Sequence, residues 1–459
     1  MKVTVVSAST LMAAGRLDCS YFLSPANSIV NVVESARQSG SWIKHLGGVN
    51  GISERVYQPN RCARALAANG EANLPYLRPY DVFNYFPEAA NYVSQKRTEN
   101  LNEHQLKVGQ ILQTCSGRNL GPAVFVDAHL AQFVMSNDMI RIEIADKQMR
   151  FYTLAYLNSR AGRSMLRREK TGSVIDHLSE KQVVKQEIVL FNATIVREVA
   201  DLVESAVMLR ESARLTLTEM LASYERKLPT LHRTLPLRDG WSVKSSILKG
   251  RLDAAFYDPL VSSVRQQLEI NGGKRVSEVA QVIKPAGRYK TCYVDSHNGR
   301  PLLSGAQLLQ TSPINMQFMS PRVFKNIEVY ELHPGWIAYP ADGRAEEELG
   351  TPIFITKDRD GWLASGHIGR VIPNHGIDAG WLFLALKTSH AQIQIKARAS
   401  GSVVDSTFPN DIEEVILPPK FDIDGGKVVQ LWDNFRQAQA LEEKASAIID
   451  NSLLQFAEK

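Results

Sequence analysis

Cysteine is scarce in this sequence, and no two cysteines lie close together. The 459 residues contain four, without a Cys-x-x-Cys pair. Zinc sites and disulfide frameworks use cysteines in pairs or tight clusters, so neither is expected, and reduced thiols of a cytoplasmic protein are the better interpretation. The four are Cys19, Cys62, Cys115 and Cys292.

Long apolar runs are lacking too. No window approaches the roughly 20 apolar residues of a membrane-spanning helix. The N-terminal stretch Met1–Val6 is interrupted by Thr4 and followed by Ser7, Ser9 and Thr10, unlike the apolar core of a secretion signal. The sequence therefore predicts a cytoplasmic protein with no membrane partner.

Signatures of catalysis and cofactor binding are absent as well. There is no P-loop, no His-Glu-x-x-His and no Asn/Asp-Pro-Pro-aromatic run with which an amino-methyltransferase clamps its target base. The acidic run Asp342–Glu348 has no further ligands at a spacing suited to a cation. We therefore expect a non-enzymatic chain with no catalytic residues, no metal site and no cofactor of its own.

The overall composition is that of an ordinary globular protein. The chain is 44% hydrophobic and 22% charged, and its length is sufficient for two or three domains with real cores. Its formal charge of +5 is mildly basic, which is compatible with nucleic acid but only weakly indicative of it.

Two long helices stand out. Residues 190–228 carry apolar side chains at steps of three and four without proline or glycine, and residues 427–459 repeat this design. Such narrow stripes favour two helices that bury one seam against each other; two unrelated surface helices are the alternative. The predicted seam residues are Ile195, Val199, Leu202, Ala206, Leu209, Leu431, Phe435, Ala438 and Ile448.

The segment before each helix is a copy of the other. Arg16-Leu17-Asp18 recurs as Arg251-Leu252-Asp253, 235 residues later. Three further matches follow in the same order at offsets of 226 or 229: Gly109-Gln110-Ile111 with Gly335-Trp336-Ile337, Ser136 and Arg141 with Ser365 and Arg370, and Gly172-Ser173-Val174 with Gly401-Ser402-Val403. Collinear matches of this kind indicate a tandem duplication, and the long period excludes a solenoid.

The order along the chain is therefore globular, helix, globular, helix. Strand-like and helix-like stretches are mixed within each globular copy, which predicts an α+β fold. We place the first globular domain at residues 1–187, the central helix at 188–230, the second globular domain at 231–420 and the distal helix at 421–459.

Basic residues cluster in loops of both copies, with amides, a hydroxyl or a tyrosine nearby. Such loops can bind phosphates through Lys and Arg and read base edges through Arg, Asn and Ser. For any single residue, surface solubility remains the better interpretation. The candidate DNA-binding residues are Arg61, Arg64, Lys96, Arg97, Ser116, Arg118, Asn119, Lys284, Arg288, Tyr289, Lys290 and Arg344.

Taken together, the pattern resembles the specificity (S) subunit of type I restriction–modification enzymes. The resemblance rests on the Arg-Leu-Asp segments at Arg16 and Arg251, the Gly-x-Ile turns at Gly109 and Gly335, and the Gly-Ser stretches near each helix. It covers nearly the whole chain. Each motif is short, and their duplicated order makes the match specific.

The resemblance implies two target-recognition α/β domains, separated and joined by two long helices that form an antiparallel coiled coil. Such a subunit reads a bipartite, asymmetric target in double-stranded DNA. It would dock two methyltransferase (modification) subunits that use S-adenosylmethionine, and restriction or translocase subunits could join them. The alternatives are the specificity subunit of a type IIB or other phage-defence methyltransferase system and, in a different class, a duplicated protein-binding scaffold.

Overall fold

The computed structural model describes residues 5–68, 70–89, 91–117, 120–172, 175–231, 240–248, 250–285, 292–323 and 327–456. The chain divides into two compact units. The first is Met1–Glu211 with Gln437–Lys459, and the second is Ser212–Arg436. Both boundaries fall inside the two long helices, so each unit contains part of each helix.

The first unit is a mixture of short strands and helices. Its helices are α1 (Ala8–Ala14), α2 (Cys19–Phe22), α3 (Ala26–Gln38), α4 (Leu101–His104), α5 (Lys147–Asn158), α6 (Arg160–Arg168), α7 (Glu180–Val184) and the start of α8 (Ala193–Glu225). Its strands are β1 (Trp42–His45), β2 (Arg55–Tyr57), β3 (Asn73–Leu77), β4 (Asn91–Ser94), β5 (Ile111–Thr114), β6 (Ala123–Phe125), β7 (Val134–Met135), β8 (Met139–Glu143) and β9 (Glu187–Leu190).

The second unit has the same character. Its helices are α9 (Pro259–Ile270), α10 (Val276–Val279), α11 (Gly305–Leu308), α12 (Ala379–Lys387), α13 (Ser389–Arg398), α14 (Pro409–Glu413) and the start of α15 (Gly425–Leu454). Its strands are β10 (Lys274–Arg275), β11 (Ala280–Ile283), β12 (Tyr293–Val294), β13 (Arg300–Leu303), β14 (Gln317–Met319), β15 (Ile337–Pro340), β16 (Asp342–Gly343), β17 (Ile353–Phe354), β18 (Leu363–Ala364), β19 (Ile368–Pro373), β20 (Asp405–Ser406) and β21 (Ile416–Leu417).

The two units share one topology. The central sheet has the order β2-β8-β5-β6 in the first unit and β11-β19-β15-β17 in the second, and all its pairs are antiparallel. Beside it lies a smaller sheet with one parallel pair, β3 with β7 or β13 with β18. The predicted α+β class and the duplication are confirmed.

The repeated Arg-Leu-Asp motif has a structural role in both units. Arg16 makes two hydrogen bonds to the Asp18 carboxylate and donates to the carbonyl oxygens of Glu169 and Lys170, just after α6. Arg251 binds Asp253 in the same way and donates to the carbonyl oxygens of Arg398 and Ala399, at the end of α13. The motif therefore satisfies carbonyls that the helix end leaves unpaired.

The Gly-Ser stretches require glycine for a steric reason. A Cβ at Gly172 would lie 2.1 Å from the carbonyl oxygen of Ile175, and one at Gly401 would lie 2.0 Å from that of Val404. No real Cβ approaches a carbonyl so closely. The repeated glycine thus permits this close backbone approach in each unit.

In the first unit, α8 and α15 run antiparallel. The rings of Phe191 and Phe456 stack 6.5 Å apart at one end, and Arg210 forms a two-pronged ion pair with Glu442 farther along. From the first contact to the second, the residue number increases along α8 and decreases along α15, as an antiparallel pair requires. The globular part of each unit, without the long helices, is called its head. Residues of both helices and of the first head form one apolar core. From the helices it includes Val196, Val199, Val203, Ala445, Ile449 and Leu453.

In the second unit, the end of α8 meets the start of α15. Tyr224, buried on α8, donates to the carbonyl oxygen of Pro419 at 2.9 Å and accepts from the Trp381 indole at 3.0 Å. Trp432 on α15 is fully buried, with its ring 5.3 Å from that of Phe383.

Each helix pair is also fastened to a head by a carboxylate. In the first unit Asp450 accepts from the backbone N–H groups of Arg160 and Ala161, at the start of α6. In the second unit Glu225 accepts from the N–H of Ser389, at the start of α13, at 2.6 Å. A carboxylate at a helix N-terminus pairs with otherwise unsatisfied donors.

The residues of the predicted seam differ in burial. Among its members Val199, Ala206, Leu431, Phe435 and Ala438 are fully buried. The others lie at the margin, half-buried: Ile195, Leu202, Leu209 and Ile448. The central helix begins later than the predicted residue 188. Leu190 is the last residue of strand β9, and the Asn192 side chain caps α8 by accepting from the N–H of Ile195.

Candidate nucleic-acid interface

The ends of three central strands bring polar residues to one edge of the first unit's sheet. β2 and β5 both run antiparallel to β8, so their last residues lie beside its first. Gln58 follows β2, Ser116 follows β5 after Cys115, and Asp138 immediately precedes β8. We refer to Gln58, Ser116 and Asp138 as the first edge triad.

Hydrogen bonds fix the backbone around this triad. Gln58 Nε2 donates to the Asn137 carbonyl oxygen at 2.7 Å, and the Tyr80 hydroxyl donates to that of Ser116 at 2.8 Å. Burial, and then the charge of Asp138, raise the pKa of the neighbouring Cys115 thiol to about 12. That thiol is therefore protonated and unreactive at neutral pH.

A cavity of about 240 Å³ opens beside the first edge triad. Arg61, Arg64 and Asp138 contribute to its lining, and the Arg64 guanidinium carbon lies 4.7 Å from the centre of the Tyr76 ring. His104 also lines it and is only 3% exposed. The cavity therefore combines two cations, a carboxylate and an aromatic wall.

The buried ring of His104 has one unsatisfied nitrogen. Its Nδ1 lies 3.0 Å from the Met135 carbonyl oxygen, which can only accept, so Nδ1 carries the proton in the neutral ring. Nε2 has no hydrogen-bond partner among the described residues. Buried polar atoms are usually satisfied, so this nitrogen is an exception within the first unit.

The other basic candidates of the first unit differ in availability. Lys96 is exposed, whereas Arg97 is bound to the Glu71 carboxylate through Nε at 3.0 Å and Nη2 at 2.7 Å. Hydrogen bonds from Arg97 and then Ser94 hold the pKa of Glu71 well below its usual range. Arg118 and Asn119 lie outside the described residues.

The second unit has a corresponding edge with different chemistry. Lys284 follows β11, Asp342 lies in β16 just after β15, and His367 immediately precedes β19. The Asp342 carboxylate accepts from Lys284 Nζ at 2.7 Å and lies 2.6 Å from His367 Nδ1. We refer to Lys284, Asp342 and His367 as the second edge triad.

Exposure separates the members of the second triad. The side chain of Lys284 is 11% exposed and also donates to the Thr407 carbonyl oxygen, so its charge is used within the fold. The His367 side chain is 73% exposed. The Arg344 side chain is 69% exposed and lies 3.7 Å from Glu347. Arg288, Tyr289 and Lys290 lie outside the part of the chain that the structure describes.

A buried arginine lies behind each edge. Arg141 on β8 donates to the carbonyl oxygens of His104 and Met135, and Arg370 on β19 donates to those of Val329 and Glu331. Burial lowers the pKa of each arginine to about 10, which leaves both protonated at neutral pH. These matched arginines cross-link loops and do not reach the surface.

Sequence reasoning missed Asp138 and His367, because the search was for clusters of Lys and Arg, and neither residue is one of these. A usable signal was present, since each lies between a matched serine and a matched arginine of the repeat. Among the described residues there is no group of three or more side chains that could hold a metal, and no helix is long and apolar enough to cross a membrane.

Fold and site together define a duplicated α+β protein with two paired helices and two polar sheet edges. No family model matches the sequence, and no curated protein matches it either. Solved structures give weak likenesses. The type I restriction–modification S subunit from M. genitalium has 13% identity and a TM-score of 0.30, over 90% of this chain and 98% of that one.

Two further structures are similar at the same level. The HsdS subunit from Thermoanaerobacter tengcongensis has 13% identity and a TM-score of 0.28, over 89% of this chain and 99% of that one. A chain from a type I R-M system, studied for complex assembly and conformational transition, has 14% identity and a TM-score of 0.29, over 86% and 98%.

Proposed function

We propose that this chain is the sequence-specific DNA-recognition subunit of a restriction–modification complex. Each unit would read one half of a bipartite, asymmetric target in double-stranded DNA. The chain would supply sequence choice and a scaffold, while partner subunits carry adenine methylation and cleavage.

The duplicated sheet edge carries this proposal. Both units place a triad of polar residues at the same strand ends, and exposed cations border it, such as Arg61 and Arg64 in the first unit and Arg344 in the second. Cations that bind phosphates next to polar groups that read base edges are the two parts of a DNA-reading surface. Because the two triads differ in sequence, the two half-sites should differ as well.

The helices would dock two methyltransferase subunits. Apolar side chains remain at the surface of α8 in the first unit: Met208 is 62% exposed, and Leu202 lines a shallow groove with Thr194 and Arg197. Exposed apolar groups on a rigid helix are suited to a protein partner. S-adenosylmethionine would be held by those partners, and the complex would work in the cytoplasm.

Salt-dependent binding tests the proposal. We expect the assembled complex to bind a duplex carrying both half-sites, with log K falling against log salt by several units of slope, since each neutralised phosphate contributes about 0.9. Duplexes with one half-site scrambled are the control and should bind more weakly. A flat salt response with no preference among duplexes would contradict DNA recognition and favour the protein-binding scaffold.

Exchange of the first head gives an independent check. Replacing residues 1–187 by the corresponding part of another specificity subunit should change one half of the target and leave the other half intact. The modified-base map of DNA methylated by the hybrid complex measures this. A change in both halves would refute independent reading.

A further inference from the structure

We propose that Asp138 and His367 are the equivalent base-reading positions of the two units, and that Asp138 selects a base with an amino group in the major groove. This inference rests on the proposed function and names residues within it. The two half-sites should then differ at one particular base pair.

Strand register makes the two positions equivalent. In the first unit Tyr57 pairs with Arg141 and Thr114 pairs with Met139. In the second unit Ile283 pairs with Arg370 and Pro340 pairs with Ile368. Asp138 and His367 are the residues immediately before Met139 and Ile368, so they occupy the same place at the start of the middle strand.

The parallel strand pair of each unit gives the same equivalence independently. Leu77 pairs in parallel with Met135, and Leu303 pairs in parallel with Ala364. From those pairs, three residues lead to Asp138 in one unit and three lead to His367 in the other. The loop length is identical, with Ser136-Asn137-Asp138 in the first unit and Ser365-Gly366-His367 in the second.

Asp138 is placed to accept hydrogen bonds from a ligand. Its Oδ2 accepts from the Ser136 hydroxyl at 2.8 Å, which orients the carboxylate. The residue is half-buried on the wall of the cavity that Arg61 and Arg64 also line. A carboxylate beside two arginines suits duplex DNA, because the cations can bind backbone phosphates and the carboxylate can accept from a base edge.

The chemistry of an ionised carboxylate restricts the choice of base. It can only accept, so in the major groove it pairs with the N4 amino group of cytosine or the N6 amino group of adenine. The carbonyl and N7 acceptors of guanine and the O4 of thymine would face it without a proton between them. The first unit should therefore favour cytosine or adenine at this position.

The equivalent position of the second unit presents a different group. The His367 ring lies 2.6 Å from Asp342 through Nδ1, and its side chain is 73% exposed. In the neutral ring Nδ1 donates to that carboxylate and leaves Nε2 as one uncharged acceptor facing solvent, whereas in the protonated ring Nε2 donates. Position 367 therefore does not present the fixed, charged acceptor that position 138 presents, and it should not impose the same base choice.

The test compares base preferences of the assembled complex for a library of duplexes. In Asp138→Asn the amide can donate as well as accept, so the preference at one base pair of the first half-site should weaken about tenfold. The second half-site should be unchanged. His367→Ala should show the reverse pattern, and Glu103→Gln, an exposed carboxylate elsewhere in the first unit, should change neither half.

A second measurement uses the unaltered protein, so its result does not depend on whether a variant folds. Duplexes in which single cytosines or adenines lack the exocyclic amino group should lose about tenfold in affinity at one position of the first half-site. Binding with a bipartite preference, but no sensitive position and no effect of Asp138→Asn, overturns this inference and leaves the proposed function intact. Absence of sequence preference in the unaltered complex overturns both.

Discussion

The ion pair between Arg210 and Glu442 offers a quantitative test of the antiparallel helix pair. The Arg210 side chain is 14% exposed and that of Glu442 is 27% exposed, and the two join through two hydrogen bonds. Burial alone would lower the pKa of Arg210, and the Glu442 charge outweighs it, so the pKa is raised. Removing Glu442 would leave a sheltered cation without its partner.

The structure also supplies an exposed pair between the same helices. Glu198 and Lys444 lie 3.9 Å apart, with side chains 50% and 60% exposed. Breaking a fully buried pair costs about 3–5 kcal/mol, whereas exposed pairs contribute about 0.2–1 kcal/mol. Because the Arg210 pair is only partly sheltered, we expect a coupling energy of about 1.5–2.5 kcal/mol for it and below about 0.5 kcal/mol for the exposed pair.

Double-mutant cycles measure both values. The variants are Arg210→Ala, Glu442→Ala and their combination, with Glu198→Ala and Lys444→Ala as the matched cycle. The free energy of opening is followed by hydrogen exchange of α8 amides in increasing denaturant. Equal coupling in the two cycles, or none in the first, would refute the deduced contact between residues 210 and 442 and with it the helix register.

Two further predictions concern the repeated motifs. Gly401→Ala should lower the free energy of unfolding by about 2–4 kcal/mol, because its Cβ would meet a carbonyl oxygen at 2.0 Å, while Gly305→Ala, with a nearest contact of 3.6 Å, should change it little in the same thermal unfolding assay; equal effects would contradict the steric account. The hydrogen bond from Arg16 lowers the pKa of Asp18 to about 2 from its usual 3.8. Its stabilising contribution is therefore complete above about pH 4 and is lost as the pH falls towards 2, so the stability difference between the unaltered chain and Asp18→Asn should shrink over that range, and a constant difference would exclude the linkage.

Periodicity predicts the two helices but does not identify every side chain that they bury. Val196, Val203 and Val207 on α8 were not predicted to be buried, yet they belong to the first unit's core. The predicted seam contained only the positions expected to face the partner helix. A helix that also packs against a head buries additional side chains on a neighbouring face. The same holds for Trp432, which contacts Phe354 and Phe383 of the second head.

The site was harder to predict, because the sequence shows which residues are charged but not whether their charged groups are exposed or already paired within the fold. Lys284 has the residue type of a phosphate ligand, but Asp342 and Thr407 hold its ammonium group inside the second unit. Arg97 is similarly bound to Glu71. Asp138 and His367 become candidates only when strand register shows that they are equivalent, and that register depends on pairings between residues far apart in sequence.

The hydrogen bonds from each head to a helix carboxylate have a consequence for how the chain folds during translation. The first unit needs Asp450 to complete the start of α6, whereas the second unit is formed by one continuous stretch, Ser212–Arg436. Translation therefore delivers every residue of the second unit before the last strip of the first. Until residues 437–459 emerge, the apolar groups around Val199 lack the part of their cover that α15 supplies, which exposes the nascent first unit to misassociation.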